Sequence, residues 1–157
     1  MATGTPATTL LTAAGIIYVE HEYQHETSAT SFGLEAAEKL GIDPSQVFKT
    51  LVVAVDDHFA VAIVPVNQQV SLKALSRVLG AKKATMADPE VAARMTGYVV
   101  GGISPLGQKK LLPTVIAESA QLLGTVLVSG GKRGFDIELS PIDLAELLQA
   151  KFADIAI

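Results

Sequence analysis

The stretch Val47–Val55, "VFKTLVVAV", is followed across Asp56–His58 by Phe59–Val66, "FAVAIVPV". Both segments are short, continuous and rich in β-branched residues, and they are separated by an acidic turn. They read as two strands of one hairpin, the spine of a sheet. Upstream, Ile16–Tyr23, "IIYVEHEY", is again β-branched and aromatic and predicts a strand. Downstream, "TVIAES" and "TVLVS" are strand-like, and "SGGKRG" (Ser129 to Gly134) turns the chain into a further strand, "FDIEL".

Helices fill the gaps. Pro6–Ala14 ends at Gly15, and "FGLEAAEKLG" is about two turns stopped by Gly41. The stretch "QHETSATS" before it is polar loop. Ser71 caps "LKALSRVLG", Asp88 and Pro89 start "PEVAARM", and Ser140 and Pro141 open a last helix, "IDLAELLQA". Strands outnumber helices and several follow one another directly. The expectation is an α/β (α+β) fold in one domain over residues 1–157. Its sheet is mixed, largely antiparallel and curled or closed into a β-barrel, with helices outside, and is not a doubly wound parallel sheet.

Composition limits the function. With 157 residues, half of them apolar, the chain can bury one sizeable core. No apolar run reaches the ~20 residues that span a bilayer. The opening "MATGTPATTLLTAAG" lacks the basic start of a signal peptide, so a soluble cytoplasmic protein without a membrane partner is expected. Cysteine is absent, which removes disulfides, thiolate metal ligands and a cysteine nucleophile together. The net charge of −4 argues against a general nucleic-acid coat. It leaves room for local basic patches at Lys82 and Lys83, Lys109 and Lys110, and Lys132 with Arg133.

"HEYQH", His21 to His25, matches the zinc-protease pattern H-E-x-x-H. That chemistry needs one helical turn to bring the imidazoles together. In the strand expected here they stand roughly 13 Å apart, so neither metal nor cofactor is expected. "GISPLGQK" (Gly102 to Lys109) misses the phosphate loop G-x-x-x-x-G-K-[ST], because Gln108 stands where lysine must be. "GGKRG" lacks dinucleotide spacing. No Ser-His-Asp set can be assembled from spacing, so any hydrolysis must come from positioning and backbone donors acting on an already reactive substrate.

Two charges are out of place. Lys49 interrupts an apolar strand; it either points to solvent or stands at a cleft where its ammonium needs an anion. Asp136 opens "FDIEL" just after the glycine turn and is either an exposed strand charge or part of a site. In "GGISPLGQKK" (Gly101 to Lys110), glycines permit close backbone approach and Pro105 holds the loop in shape.

"SFGLEAAEKLGI", "VFKTLVV", "TGYVVGGISPLGQKK" and "VSGGKRG…IELSP" occur in this order from about Tyr23 to Pro141. Together they resemble the YbaK/EbsC family of trans-editing aminoacyl-tRNA deacylases. Within it they are most similar to the members that act on Cys-tRNA(Pro). The resemblance implies a mixed β-barrel ringed by helices, related to the editing insertion of bacterial prolyl-tRNA synthetases. It implies hydrolysis of the ester of mischarged tRNA at its 3′-aminoacyl end, beside a transiently bound prolyl-tRNA synthetase. Lys49 matches the family lysine that holds the tRNA 3′-end. Gly101 and Pro105 match the G-x-x-x-P loop, whose main chain, with Gly102, meets the terminal adenosine and ester carbonyl. Tyr23, Phe32, Thr50, Ser129 and Asp136 match residues lining the pocket for the amino acid and terminal ribose. For cysteinyl substrates the family implies attack by the substrate's own thiol. A preference for alanyl or serylated tRNA, or a binding module that only captures tRNA ends, are the alternatives.

Overall fold

A computed structural model describes residues 4–28 and 31–157. Of the polar loop expected over 24–31, residues 29 and 30 lie outside the described residues, as do residues 1–3 at the start of the stretch read for a leader.

The hairpin forms as expected. β2 (Phe48–Val55) and β3 (His58–Pro65) pair antiparallel with Phe48 opposite Pro65 and Val55 opposite His58. The turn is tighter than expected, Asp56 and Asp57 alone, with Asp56 at φ 52. Asp56 supports this left-handed backbone by accepting the main-chain N–H groups of Lys82 and Lys83 at 3.1 and 3.0 Å. β4 (Ala84–Met86) pairs with the outer edge of β2, and β5 (Thr114–Ala117) lies parallel to β3 with β8 (Lys151–Ala153) parallel beyond it.

A second sheet is antiparallel, in the order β1 (Val19–Glu22), β7 (Phe135–Leu139), β6 (Val126–Lys132). β1 is shorter than the strand read over Ile16–Tyr23, although Tyr23 N–H still donates to Gly134 O at 3.0 Å. The expected turn "SGGKRG" is also mostly strand. β6 runs through Gly130 and Gly131 to Lys132 with a register shift between Ser129 and Lys132, and only Arg133 and Gly134 make the turn.

The mixed α+β class holds, but the closed barrel does not. Among the described residues there are two sheets, of three and five strands, joined by a single parallel bridge, Val47 to Leu127. The reason lies on the outer edge of β2. β4 pairs with that edge at residues 53–55, and β6 pairs alongside only at the Val47–Leu127 bridge just before β2, so the ladder between them is left open.

The helices α1 (Pro6–Ala14), α2 (Phe32–Leu40), α3 (Leu72–Leu79), α4 (Pro89–Thr96) and α5 (Pro141–Leu148) form where their caps predict. Thr5 and Thr8 form a reciprocal capping box on α1, and the side chains of Ser71, Asp88 and Ser140 cap α3, α4 and α5. The main core joins both sheets, with Phe135, Ile63, Ile116, Ile137 and Leu144 fully buried. Among the described residues no helix is long and apolar enough to cross a membrane.

Candidate active site

The gap on the edge of β2 opens into a cavity of about 330 Å³. Its walls come from the start of α2, the first half of β2, the β4–α4 junction, the loop around Gly101 and the β6–β7 hairpin. Tyr23, Phe32, Lys49, Thr50, Gly101, Ser129 and Asp136 all line it. Seven residues that span more than a hundred positions in sequence are thus brought together. Gly102 and Pro105 are not in the wall; both are buried behind it.

The hairpin register shows what the open edge offers. Val66 N–H donates to Val47 O, so the odd-numbered residues of β2 bond inward to β3. Ala87 N–H donates to Val52 O, so the even-numbered ones face outward. Thr50 therefore turns its main-chain N–H and C=O to the edge that no strand covers. Its side-chain Oγ1 is also buried without a hydrogen-bond partner. A buried polar group left unpaired costs about 1–3 kcal/mol, which a bound ligand could recover.

Lys49 is next to Thr50 and half-buried. Desolvation pushes its ammonium pKa down, and among the described residues no carboxylate pairs with it. Of the two places open to this lysine, it takes the one in the cavity wall, partly withdrawn from solvent.

Asp136 is 6% exposed, not an exposed strand charge, and burial pushes its carboxyl pKa up to about 7. It is paired in register with Ser129 across β6 and β7. Tyr23 stands close enough that its phenol is pushed up to about 12, by its own burial first and by the charge of Asp136 second. Ser129 Oγ accepts from Gly131 N–H at 3.2 Å, which ties the serine to the bulge. None of the three histidines reaches it among the bonds of the described residues, so no serine–histidine pair forms.

The glycine loop is stretched between anchors. Tyr98 Oη donates to Leu106 O at 2.6 Å, Ser104 Oγ accepts from Leu106 N–H, and Gln108 Nε2 donates to Ser104 O. Gly101 has φ +87, and an added Cβ would lie 2.8 Å from the Phe32 ring and 2.9 Å from Arg133 Nε. Gly102 N–H donates to Val99 O, so this amide is already engaged. The amides of Gly101 and Ile103, which do line the cavity, carry no internal acceptor among the described residues.

Arg133 was visible in the sequence only as half of a basic pair. Here its Nε donates to Val100 O at 2.8 Å, and its guanidinium lies 5.0 Å from the centre of the Phe32 ring. It clasps the glycine loop to the hairpin and to α2. Met86 and Ala87, also in the wall, gave no signal, because a three-residue edge strand has no readable alternation.

The H-E-x-x-H pattern comes apart. His21, on β1, bonds Glu138 Oε1 at 2.8 Å, and His25 bonds Glu35 Oε1 at 2.7 Å. Each imidazole is held by a different carboxylate on a different element. Among the described residues no group of three or more histidine, aspartate and glutamate side chains could hold a metal ion.

The sequence matches a family model described as an aminoacyl-tRNA editing domain over residues 25–147. EbsC of Enterococcus faecalis, provisionally named a Cys-tRNA(Pro)/Cys-tRNA(Cys) deacylase, is 42% identical over 136 residues, 85% of this chain and 83% of EbsC. A proline–tRNA ligase of Shouchella clausii is 43% identical over 76 residues, 48% of this chain but 13% of the ligase. The crystal structure of a provisionally assigned trans-editing enzyme for prolyl tRNA synthetase is similar in fold, with a TM-score of 0.84 over 99% of both chains at 24% identity.

Proposed function

The chain belongs to the aminoacyl-tRNA editing domain family, and from that premise we propose that it is a trans-editing deacylase that hydrolyses mischarged tRNA, with Cys-tRNA(Pro) as its substrate. The observation that carries this reading is the cavity on the open edge of β2. It gathers an unpaired cation, unpaired backbone donors and a buried carboxyl around a space of about 330 Å³, enough for an aminoacylated ribose and little more.

Lys49 takes the phosphate behind the terminal nucleoside, as a point charge on a flexible stem. The outward main chain and Oγ1 of Thr50 bond the polar edge of the ligand. The amides of Gly101 and Ile103 donate to the ester carbonyl and to the oxyanion that develops on it; one such donor typically contributes ~100- to 1,000-fold in rate. Asp136, with a pKa of about 7, ionises when the substrate's α-ammonium comes beside it and holds that group in place. Tyr23 and Ser129 flank Asp136 and shape the amino-acid pocket.

Nothing in the wall is an activated nucleophile, so the attacking group belongs to the substrate. The cysteinyl thiolate attacks its own carbonyl carbon, the ester C–O bond breaks, and the ribose oxygen leaves and takes up a proton. A cyclic thiolactone is released and opens with water to cysteine. The protein supplies geometry and carbonyl stabilisation. The reaction takes place in the cytoplasm, with prolyl-tRNA synthetase as a transient partner holding the tRNA body. The test is release of labelled cysteine from Cys-tRNA(Pro) by the purified chain, without added metal; no release above the uncatalysed rate would refute the reading.

A further inference from the structure

The net charge of −4 hides a concentrated basic surface. Lys73, Arg77, Lys82 and Lys83, four of the chain's 12 lysines and arginines, surround a groove of about 540 Å³ between α3 and the loop entering β4. Lys73 and Arg77 are four residues apart and so share one face of α3. All four are exposed, and among the described residues none makes an ion pair. Of the acids in the neighbouring loops, Asp56 accepts Lys82 and Lys83 N–H, Asp88 accepts Glu90 N–H, and Asp57 stands beside His58. The Asp56 bonds also fix the Lys82–Lys83 turn, which presents both side chains beside α3.

β4 runs from the groove to the cavity: Ala84 lines the groove, and Met86 and the following Ala87 line the cavity. From Lys83 to Ala87 is four residues of extended chain, roughly 13 Å. Met86, in the cavity wall, is 47% exposed. Nucleic acid places one phosphate per ~3.4 Å of helix axis on each strand, so this distance covers a few nucleotides.

We propose that the groove binds the sugar–phosphate backbone of the substrate's acceptor strand, a few nucleotides behind the aminoacylated end held in the cavity. This rests on the deacylase reading above and extends it from the tRNA end to the strand behind it. Contacts of these cations to phosphate add affinity and carry no sequence information. It lets an acidic protein engage many tRNAs weakly.

The test compares two substrates and two charge reversals. Lys82→Glu/Lys83→Glu and Lys73→Glu/Arg77→Glu change exposed side chains on different elements, so both should keep the wild-type melting temperature. The substrates are full-length Cys-tRNA(Pro) and cysteinyl adenosine, which has no phosphate. Binding of uncharged tRNA is measured in parallel by fluorescence anisotropy from about 50 to 200 mM KCl. Each reversal should raise KM for the full-length substrate roughly tenfold and lower the slope of log affinity against log salt by about 2. Hydrolysis of cysteinyl adenosine should not change. Unchanged KM and salt slope in both variants would overturn the proposal, as would equal slowing on both substrates. A weakened response to added prolyl-tRNA synthetase with tRNA binding intact would reassign the groove to that protein and overturn it too. If the wild type fails to cleave full-length Cys-tRNA(Pro), the deacylase reading fails, while the anisotropy still reports whether the groove binds RNA.

Discussion

Ser129 and Asp136 face each other across the β6–β7 ladder, and the register shift that follows them places the two adjacent glycines, Gly130 and Gly131, beside the pair. An added Cβ on Gly130 would lie 2.4 Å from the Phe135 ring, so the strand can pass here only without a side chain. The bulge thus fixes how a hydroxyl and a buried carboxyl enter the cavity together, and several consequences follow from that carboxyl.

Asp136 holds its proton to about pH 7 in the folded chain, against 3.8 unfolded. Between those values the native state binds the extra proton, so stability falls as pH rises from about 4 through 7. Asp136→Asn removes this penalty. The variant should be more stable than wild type at pH 8, by a few kcal/mol at most, and should lose most of that advantage at pH 4. Chemical denaturation at both pH values measures it. Activity should move oppositely: wild-type kcat/KM rises through an inflection near pH 7 that the asparagine variant lacks.

Lys49→Ala should fold normally, because the ammonium is desolvated and pairs with no carboxylate among the described residues. Losing a charge-assisted contact to phosphate should lower kcat/KM about 10- to 100-fold. On cysteinyl adenosine, which has no phosphate, the loss should nearly vanish. Equal losses on both substrates would separate Lys49 from the phosphate.

The two loop glycines should behave differently. Gly101→Ala forces a side chain into a positive-φ conformation at about 1–2 kcal/mol and pushes on Phe32 and Arg133, which can shift. Its main effect should be on activity. In Gly102→Ala the new Cβ meets the Lys132 main chain at 2.7 Å, which cannot shift without moving the hairpin. Its main effect should be on melting temperature. Thermal melts and kcat/KM of both variants decide this.

The helices were legible because capping is local. Ser71, Asp88 and Ser140 each cap within three residues, and Gly15, Gly41 and Gly80 end helices in the left-handed conformation. The site residues could be named from motifs in order along the chain, but their convergence depends on strand pairing that sequence does not encode locally. The barrel was misread for that reason: whether β6 closes on β2 is decided by where β4 ends on the shared edge, and β4 is three weakly patterned residues. Gly102, named for close approach, stands behind the wall with its amide bonded to Val99 O, which sequence does not reveal because a glycine looks the same whether its amide is free or engaged.

Ser129→Ala should lower kcat/KM modestly, about tenfold or less, because the hydroxyl positions the substrate and does not attack it. No acyl-enzyme should be trapped by rapid acid quench of the wild type.

The most direct measurement is the rate of deacylation of Cys-, Ser- and Ala-tRNA(Pro) by the wild-type chain under one set of conditions. If the substrate's thiol is the nucleophile, the cysteinyl ester is cleaved far faster than the other two. The serine hydroxyl is a much weaker nucleophile near neutral pH, and the alanine methyl is none. A cyclic thiolactone should also be recoverable before it opens to cysteine. Comparable rates on all three esters, with no thiolactone, would contradict the account and make activated water the attacking group.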